Sequence, residues 1–184
     1  NSYNLTTYPG SSNLVDIEYV QLSNTIYGFG DDIVAVDAFG AFYMSTILLP
    51  GNTQSIEMKF NTINNYLYCL SRNSLYVVDP LINTVITSMT FSENASQIEI
   101  NNTYGDIYIS FENASFVRIY NSNNVLVSTE SVTSGYNKMV FNEFEGDVYI
   151  TDTNLVRRID GPTRALQTTQ LGIVPHLIMS SKPI

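Results

Sequence analysis

Tryptophan is absent, histidine and cysteine occur once each, and only eight of 184 residues are Lys or Arg. Each scarcity excludes something. A Ser-His-Asp or Cys-His nucleophilic set would have to use His176, which follows Pro175 and reads as a strand-edge residue. A zinc site needs three or four His and Cys ligands, and His176 and Cys69 are all the chain has. One cysteine allows no internal disulfide. Cys69 sits in the apolar run Tyr66-Leu67-Tyr68-Cys69-Leu70 and is expected to be a buried structural thiol, not a nucleophile. Net charge is −9 with pI near 4.3, and no basic run exists. A phosphate backbone or an anionic bilayer would be repelled, so neither nucleic acid nor membrane insertion is expected. Signal peptide, membrane span and lipidation motif are all lacking. The chain begins at Asn1 without methionine, which reads as a processed or excised piece. Gly28-Phe29-Gly30 lacks the lysine and the following helix of a phosphate loop. No helix is evident, and no cofactor is implied.

What is present is a repeat. A hydrophobic residue followed by tyrosine recurs at Ile26-Tyr27, Leu67-Tyr68, Ile107-Tyr108 and Val148-Tyr149, in steps of 41, 40 and 41. Val36-Asp37, Val78-Asp79, Ile119-Tyr120 and Ile159-Asp160 keep time with it. Phe60-Asn61, Ile100-Asn101 and Phe141-Asn142 form a third series, and Pro9-Gly10 with Pro50-Gly51 a fourth. Repeats of this length, each built of several short strands, predict an all-β protein of β-propeller class. Tyr, Phe and β-branched residues favour strands, and the many Asn, Ser and Thr favour turns.

Each unit divides into four apolar runs, A to D, separated by turn residues. The predicted blades span residues 15–49, 55–91, 97–132 and 137–171. A leading D strand is expected at 2–8 and a trailing A strand at 176–180, so the spacing predicts part of a larger propeller, with a closed four-bladed ring as the rival. Runs such as Leu75-Tyr76-Val77-Val78 and Ile107-Tyr108-Ile109 are apolar at consecutive positions, as expected of strands covered on both faces. The D runs mix polar and apolar residues and should be wetter. Four glycosylation sequons begin at Asn4, Asn94, Asn101 and Asn113, and chance produces most of them in a chain this rich in Asn, Ser and Thr.

The stretch Leu67–Val85, with Leu-Tyr-Cys-Leu-Ser, then Asn-Ser-Leu-Tyr-Val-Val-Asp-Pro, then Asn-Thr-Val, resembles the YVTN and NHL type of propeller repeat. Val148–Asp160 carries the resemblance next best. The third unit departs from it, with Tyr120 where the others have Asp. The missing Trp and Gly-His pair do not suit WD40 repeats, and the short period and missing Gly-Gly pair do not suit kelch repeats. In propellers of the resembled families, ligands meet the face built from D-to-A and B-to-C connections. That implies candidate binding residues Asp31, Asp32, Arg72, Asn73, Glu112, Asn113 and Asn154 on the B-to-C turns, and Asn52, Glu93, Asn94, Ser134 and Tyr136 on the D-to-A connections.

The acidic clusters Asp31-Asp32 and Glu143-Phe144-Glu145-Gly146-Asp147 lack EF-hand spacing and are expected to be solvated turns. Abundant Asn, Ile and Tyr with little Lys looks like structural proteins of AT-rich bacteriophages and like bacterial surface proteins. The expected function is therefore a non-enzymatic propeller scaffold for protein or glycan contact, in an extracellular, cell-surface or virion assembly. Alternatives are a metal-dependent propeller enzyme of lactonase or lyase type, which would need inward acidic and Asn residues converging on the axis, and a sensor domain of a surface receptor.

Overall fold

The computed structural model describes residues 13–39, 43–50, 53–133, 138–152 and 155–170. Sixteen strands fill these ranges, four to each of four antiparallel sheets. Blade one contains β1 (Asp16–Val20), β2 (Thr25–Phe29), β3 (Ile33–Asp37) and β4 (Tyr43–Ile47). Blade two contains β5 (Ser55–Asn61), β6 (Tyr66–Ser71), β7 (Ser74–Asp79) and β8 (Thr84–Thr90). Blade three contains β9 (Ala95–Asn101), β10 (Asp106–Phe111), β11 (Phe116–Tyr120) and β12 (Leu126–Ser131). Blade four contains β13 (Met139–Asn142), β14 (Asp147–Asp152), β15 (Leu155–Ile159) and β16 (Leu166–Gln170). Each sheet is a meander in chain order, and the A strands β1, β5, β9 and β13 neighbour one another along the inner edge. The predicted all-β architecture of four-stranded antiparallel sheets is observed. The strands expected at 2–8 and 176–180, and His176, lie outside the described residues.

The chain twists from strand to strand through turns that need a left-handed residue, and the sequence supplies Asn or Gly, and once Arg, at matching places. Between A and B these are Asn24, Asn65, Gly105 and Gly146; between C and D, Asn83, Asn124 and Arg164. Central strands are dry. Every residue of β10 is buried, as are five of six in β6, whereas β8 and β12 alternate between exposed and half-buried.

The core is not one mass but three, each lying between two blades. Tyr27, Phe29, Ile33 and Ala35 of blade one pack on Met58, Leu67, Cys69 and Val78 of blade two. Tyr68, Leu70, Leu75 and Val77 pack on Ile98, Ile100, Ile107 and Ile109 of blade three. Tyr108, Val117 and Ile119 pack on Met139, Val148 and Ile150 of blade four. Cys69 is fully buried there, and burial pushes its thiol well above the usual value.

Polar groups tie the same interfaces. The Asn61 side chain accepts the Ile63 N–H at 3.0 Å, capping its own turn, and donates to the Gly105 carbonyl of the next blade at 2.9 Å. Asn101 repeats both contacts, with Thr103 at 3.0 Å and with Gly146 at 2.6 Å. The Tyr27 hydroxyl donates to Asn83 Oδ1 at 2.5 Å, and Tyr68 to Asn124 Oδ1 at 2.9 Å. At the third interface Arg164 replaces that asparagine and gives its guanidinium to buried Asp106, at 2.7 and 3.0 Å. The Tyr108 hydroxyl then has no hydrogen-bond partner within range among the described residues. The asparagine at Asn101 is a sequon asparagine, but its side chain is fully buried and closed to modification in the folded chain.

Two expectations are corrected. Tyr120 does not stand at the repeat aspartate. It pairs with Ile107, as Val36 pairs with Ile26, Val78 with Leu67 and Ile159 with Val148. Asn121 holds the aspartate place and its role. Its Oδ1 accepts the Asn123 and Val125 N–H groups at 3.0 Å, as Asp79 accepts Leu81 at 2.8 Å. The slip arises because the turn from Phe111 to Phe116 is longer than that from Ser71 to Ser74, while the overall period stays constant. The cluster ending at Asp147 is also not a solvated turn throughout. Asp147 opens β14 fully buried, pairs with Arg158 Nε at 2.6 Å and accepts the Gly161 N–H at 2.9 Å.

The bridging asparagines make a direct prediction. Asn61→Ala and Asn101→Ala each leave a buried carbonyl of the next blade unmet, a loss of about 1–3 kcal/mol. In a domain of this size that lowers Tm by roughly 2–4 °C per kcal/mol. Asn123→Ala, at an exposed turn position, should change stability by less than about 0.5 kcal/mol. Thermal unfolding followed by circular dichroism distinguishes these; equal losses at all three sites would refute the bridging role.

Candidate functional site

The D-to-A connections and B-to-C turns do converge, on the face that the sequence singled out. In blade two the Arg72 N–H donates to the Gln54 carbonyl at 2.8 Å; in blade three the Glu112 N–H donates to the Asn94 carbonyl at 2.7 Å. The Arg72 carbonyl accepts the Ala95 N–H at 2.7 Å, which joins one blade's turn to the next blade's first strand. Backbone bonds therefore hold these connections in place before any side chain is considered. Loops so anchored present side chains with little freedom left to lose on binding.

The side chains continue the pattern. Arg72 Nη2 meets Glu112 Oε2 at 3.0 Å, and Arg72 Nη1 donates to Gln54 Oε1 at 3.3 Å. Asn94 Nδ2 donates to the same Glu112 oxygen at 3.2 Å. Beside them Arg118 Nη2 meets Glu93 Oε1 at 2.8 Å. The Arg118 guanidinium lies 4.8 Å from the centre of the Phe111 ring and 5.1 Å from that of Phe116, a cation–π arrangement. A cleft of about 310 Å³ opens next to this network, lined by Pro50, Thr53, Gln54, Arg72, Asn73 and Tyr76. It has a polar rim, one guanidinium and an aromatic ring. Exposed pairs of this kind add only about 0–1 kcal/mol of stability, so their effect is on the character of the surface.

The predicted residues divide. Arg72 and Glu112 meet, and Asn73 lines the cleft while its carbonyl accepts the Phe91 N–H at 2.8 Å. Asp32 is engaged within its own blade, where its Oδ1 accepts the Leu49 N–H at 2.8 Å. Asp31 is exposed. Asn113 is an exposed turn residue with φ of 55°. Glu93 and Asn94 join the network; Asn52, Ser134, Tyr136 and Asn154 lie outside the described residues. Gln54, Arg118 and Tyr76 escaped sequence reasoning. Gln54 stands one repeat before Asn94, and that spacing was the available signal.

A second polar group lines the inner edge. Glu18, Lys59 and Glu99 occupy the same place on the A strands of blades one, two and three, with Glu57 beside Lys59 at 3.4 Å. Burial raises the carboxyl pKa of Glu18, Glu57 and Glu99 above the ordinary value, against the pull of Lys59. Burial lowers that of Lys59, but Glu99, Glu57 and Glu18 outweigh it and the net direction is up. Among the described residues no three His, Cys, Asp or Glu side chains are grouped so as to hold a metal ion.

No family model matches the chain, and no curated protein matches it in sequence. Solved structures do match. The chain resembles the β-propeller domain of Cps50 (Swd1) from Myceliophteria thermophila, with TM-score 0.69, 9% identity, and coverage of 88% of this chain and 56% of that one. U3-55K matches with TM-score 0.66, 13% identity, and coverage of 90% and 54%. Hydrazine synthase of Kuenenia stuttgartiensis matches with TM-score 0.71, 12% identity, and coverage of 92% and 53%. The protein is thus a β-propeller by fold, and the likeness extends to fold alone. It spans about half the length of each of these chains.

The inner carboxylates set a pH dependence. A carboxyl raised in the folded state takes up its proton at higher pH than in the unfolded chain. Stability then rises as pH falls from neutral toward the unfolded value of 4.5. The raised Lys59 contributes stability that is present below its unfolded value of 10.5 and is lost as pH rises through the folded one. Tm should therefore be higher in mild acid than at neutrality, and Glu99→Gln should flatten that slope. Thermal melts across this pH range test it; an unchanged slope in the variant would contradict the assignment.

Proposed function

We propose that this protein is a non-enzymatic β-propeller scaffold that holds a protein partner on the face made by its D-to-A and B-to-C connections. A glycan is the alternative occupant of the same face. One observation carries the reading: Gln54, Arg72, Asn94 and Glu112 form a single bonded surface across two blades, beside a cleft of about 310 Å³. A surface that is anchored by backbone bonds, and whose charges neutralise one another, suits an uncharged polar partner.

The resemblance of Leu67–Val85 to YVTN and NHL type repeats supports the choice of face. The polar, weakly charged composition supports an extracellular, cell-surface or virion setting for the assembly. Cys69, the one cysteine of the chain, is enclosed in an interblade core and closed to a substrate, which supports the non-enzymatic reading.

Photo-crosslinkers placed singly at Asn73, Glu112 and Leu81 test the face. Leu81 is exposed on the turn between β7 and β8, which lies at the other ends of these strands. On the intact particle or envelope from which the protein comes, Asn73 and Glu112 should yield adducts to one partner and Leu81 none. Adducts at Leu81 alone, or none at any site, would sink the proposal. Arg72→Glu should weaken that association at least about tenfold, the loss of a central contact, with little change in Tm.

A further inference from the structure

The face opposite the Arg72–Glu112 network is tipped with apolar side chains. Two places before the left-handed residues Asn24, Asn65, Gly105 and Gly146, the A-to-B turns carry Leu22, Ile63, Thr103 and Phe144. In blade three the apolar tip is the next residue, Tyr104. Phe144 is 68% exposed, Ile63 50%, Leu22 48% and Tyr104 42%. Turns are ordinarily built from Gly, Pro, Asn, Asp and Ser. An apolar tip in every blade is therefore a property of the face, not of one loop.

The tips are held in place from blade to blade. Asn61 and Asn101 bond the following A-to-B turn, and the Thr62 N–H and hydroxyl both donate to Asn102 Oδ1, at 2.9 and 3.2 Å. Ile63 leans on the next turn, where a Cβ at Gly105 would stand 3.1 Å from its Cβ and Cγ2. The Tyr104 ring leans the same way, 3.2 Å from where a Cβ at Gly146 would stand. Ile63, Tyr104 and Phe144 thus follow one another across three blades on a fixed frame. The charge beside them has one sign. No Lys or Arg occurs in turn residues 21–24, 62–65, 102–105 and 143–146, and exposed Glu143 and Glu145 flank Phe144. Arg158 and Arg164 of blade four are committed to buried Asp147 and Asp106.

We propose that this strip docks a second protein, through a segment that lays apolar side chains on Ile63, Tyr104 and Phe144 and sets Lys or Arg beside Glu143. Fixed tips bury apolar area with little loop freedom left to lose, and the carboxylates select a cationic neighbour. An anionic bilayer is repelled by the same carboxylates and meets no Lys or Arg in the turns. Further units of the repeat do not cover the strip. Blades stand side by side through their sheet faces, so an added blade flanks blade one or blade four and leaves the turn ends open.

Two labelled helical peptides of Leu and Ala, one with Lys at its polar positions and one with Glu, test the strip by fluorescence anisotropy. The Lys peptide should bind the chain, and the Glu peptide at least about tenfold more weakly. Ile63→Ser, Phe144→Ser and Glu143→Lys should each weaken the Lys peptide by about tenfold. Leu81→Ser, on the C-to-D turn two strands and about 10 Å further out, should leave it unchanged. All four positions are exposed, so each variant should keep the strand signal in circular dichroism. Absence of binding, equal binding of both peptides, or binding indifferent to Ile63→Ser and Phe144→Ser, as from charge attraction to the acidic chain at large, overturns the proposal. So does sedimentation of the chain with phosphatidylcholine vesicles that Phe144→Ser abolishes, which would assign the strip to lipid.

Discussion

A propeller blade cannot be stable by itself. A four-stranded sheet with two apolar faces needs cover on both, and at the three interblade cores among the described residues the cover is another blade. The interface that provides it is built in two layers. Inside, large side chains from facing sheets interlock, with Tyr27, Tyr68 and Tyr108 fully buried. At the rim, an asparagine bridges the gap. Asn61 and Asn101 each use the amide oxygen to cap their own turn and the amide nitrogen to bond the next blade's turn. One side chain thus sets the local turn and the spacing between blades. An amide, with a donor and an acceptor at its end, can do both, whereas a carboxylate, which only accepts, cannot. Val20 occupies this place in blade one, inside the apolar core, and there the polar tie across the interface comes from Tyr27 and Asn83.

The repeat tolerates replacement when the replacement keeps its polar groups satisfied. Asn83 and Asn124 serve the buried tyrosines, but Arg164 serves Asp106 instead. Asp106 and Asp147 are both fully buried and each has an arginine partner. A buried carboxylate without one would be costly. The few cations of this chain are thus placed where they matter. Lys59, Arg72, Arg118, Arg158 and Arg164 all meet carboxylates. The acidic chain consequently has a face of connections in which charge is locally balanced.

Most of the architecture was readable along the chain. The 41-residue spacing marked the blades, and the strands fall where apolar runs and turn residues placed them, several with the same ends. Tyr68 and Tyr108 stood out because a buried strand tyrosine keeps its neighbours apolar on both sides. The site was less readable. The face could be named, because which turns share an end of a meander follows from strand order alone. Its working residues could not. Arg72 and Glu112 meet across two blades, while Asp32, of similar appearance in the sequence, bonds its own blade's Leu49. Nothing in a string of letters separates a carboxylate that caps a turn from one that meets a cation 40 residues away.

The sequence by itself determined the period, the strands, the turns and the order of strands in each sheet, because these depend on neighbours a few residues apart. Tertiary structure alone decided the register of the third blade, where a longer turn before Phe116 moved the aspartate role to Asn121. It alone showed Asp147 to be buried beside Arg158 instead of solvated. It alone showed that Ile17 and Met58, equivalent in the repeat, lie in opposite environments. The reason is common to all three. Burial and pairing are set by what lies across a sheet or between blades, and those distances are not written in local spacing.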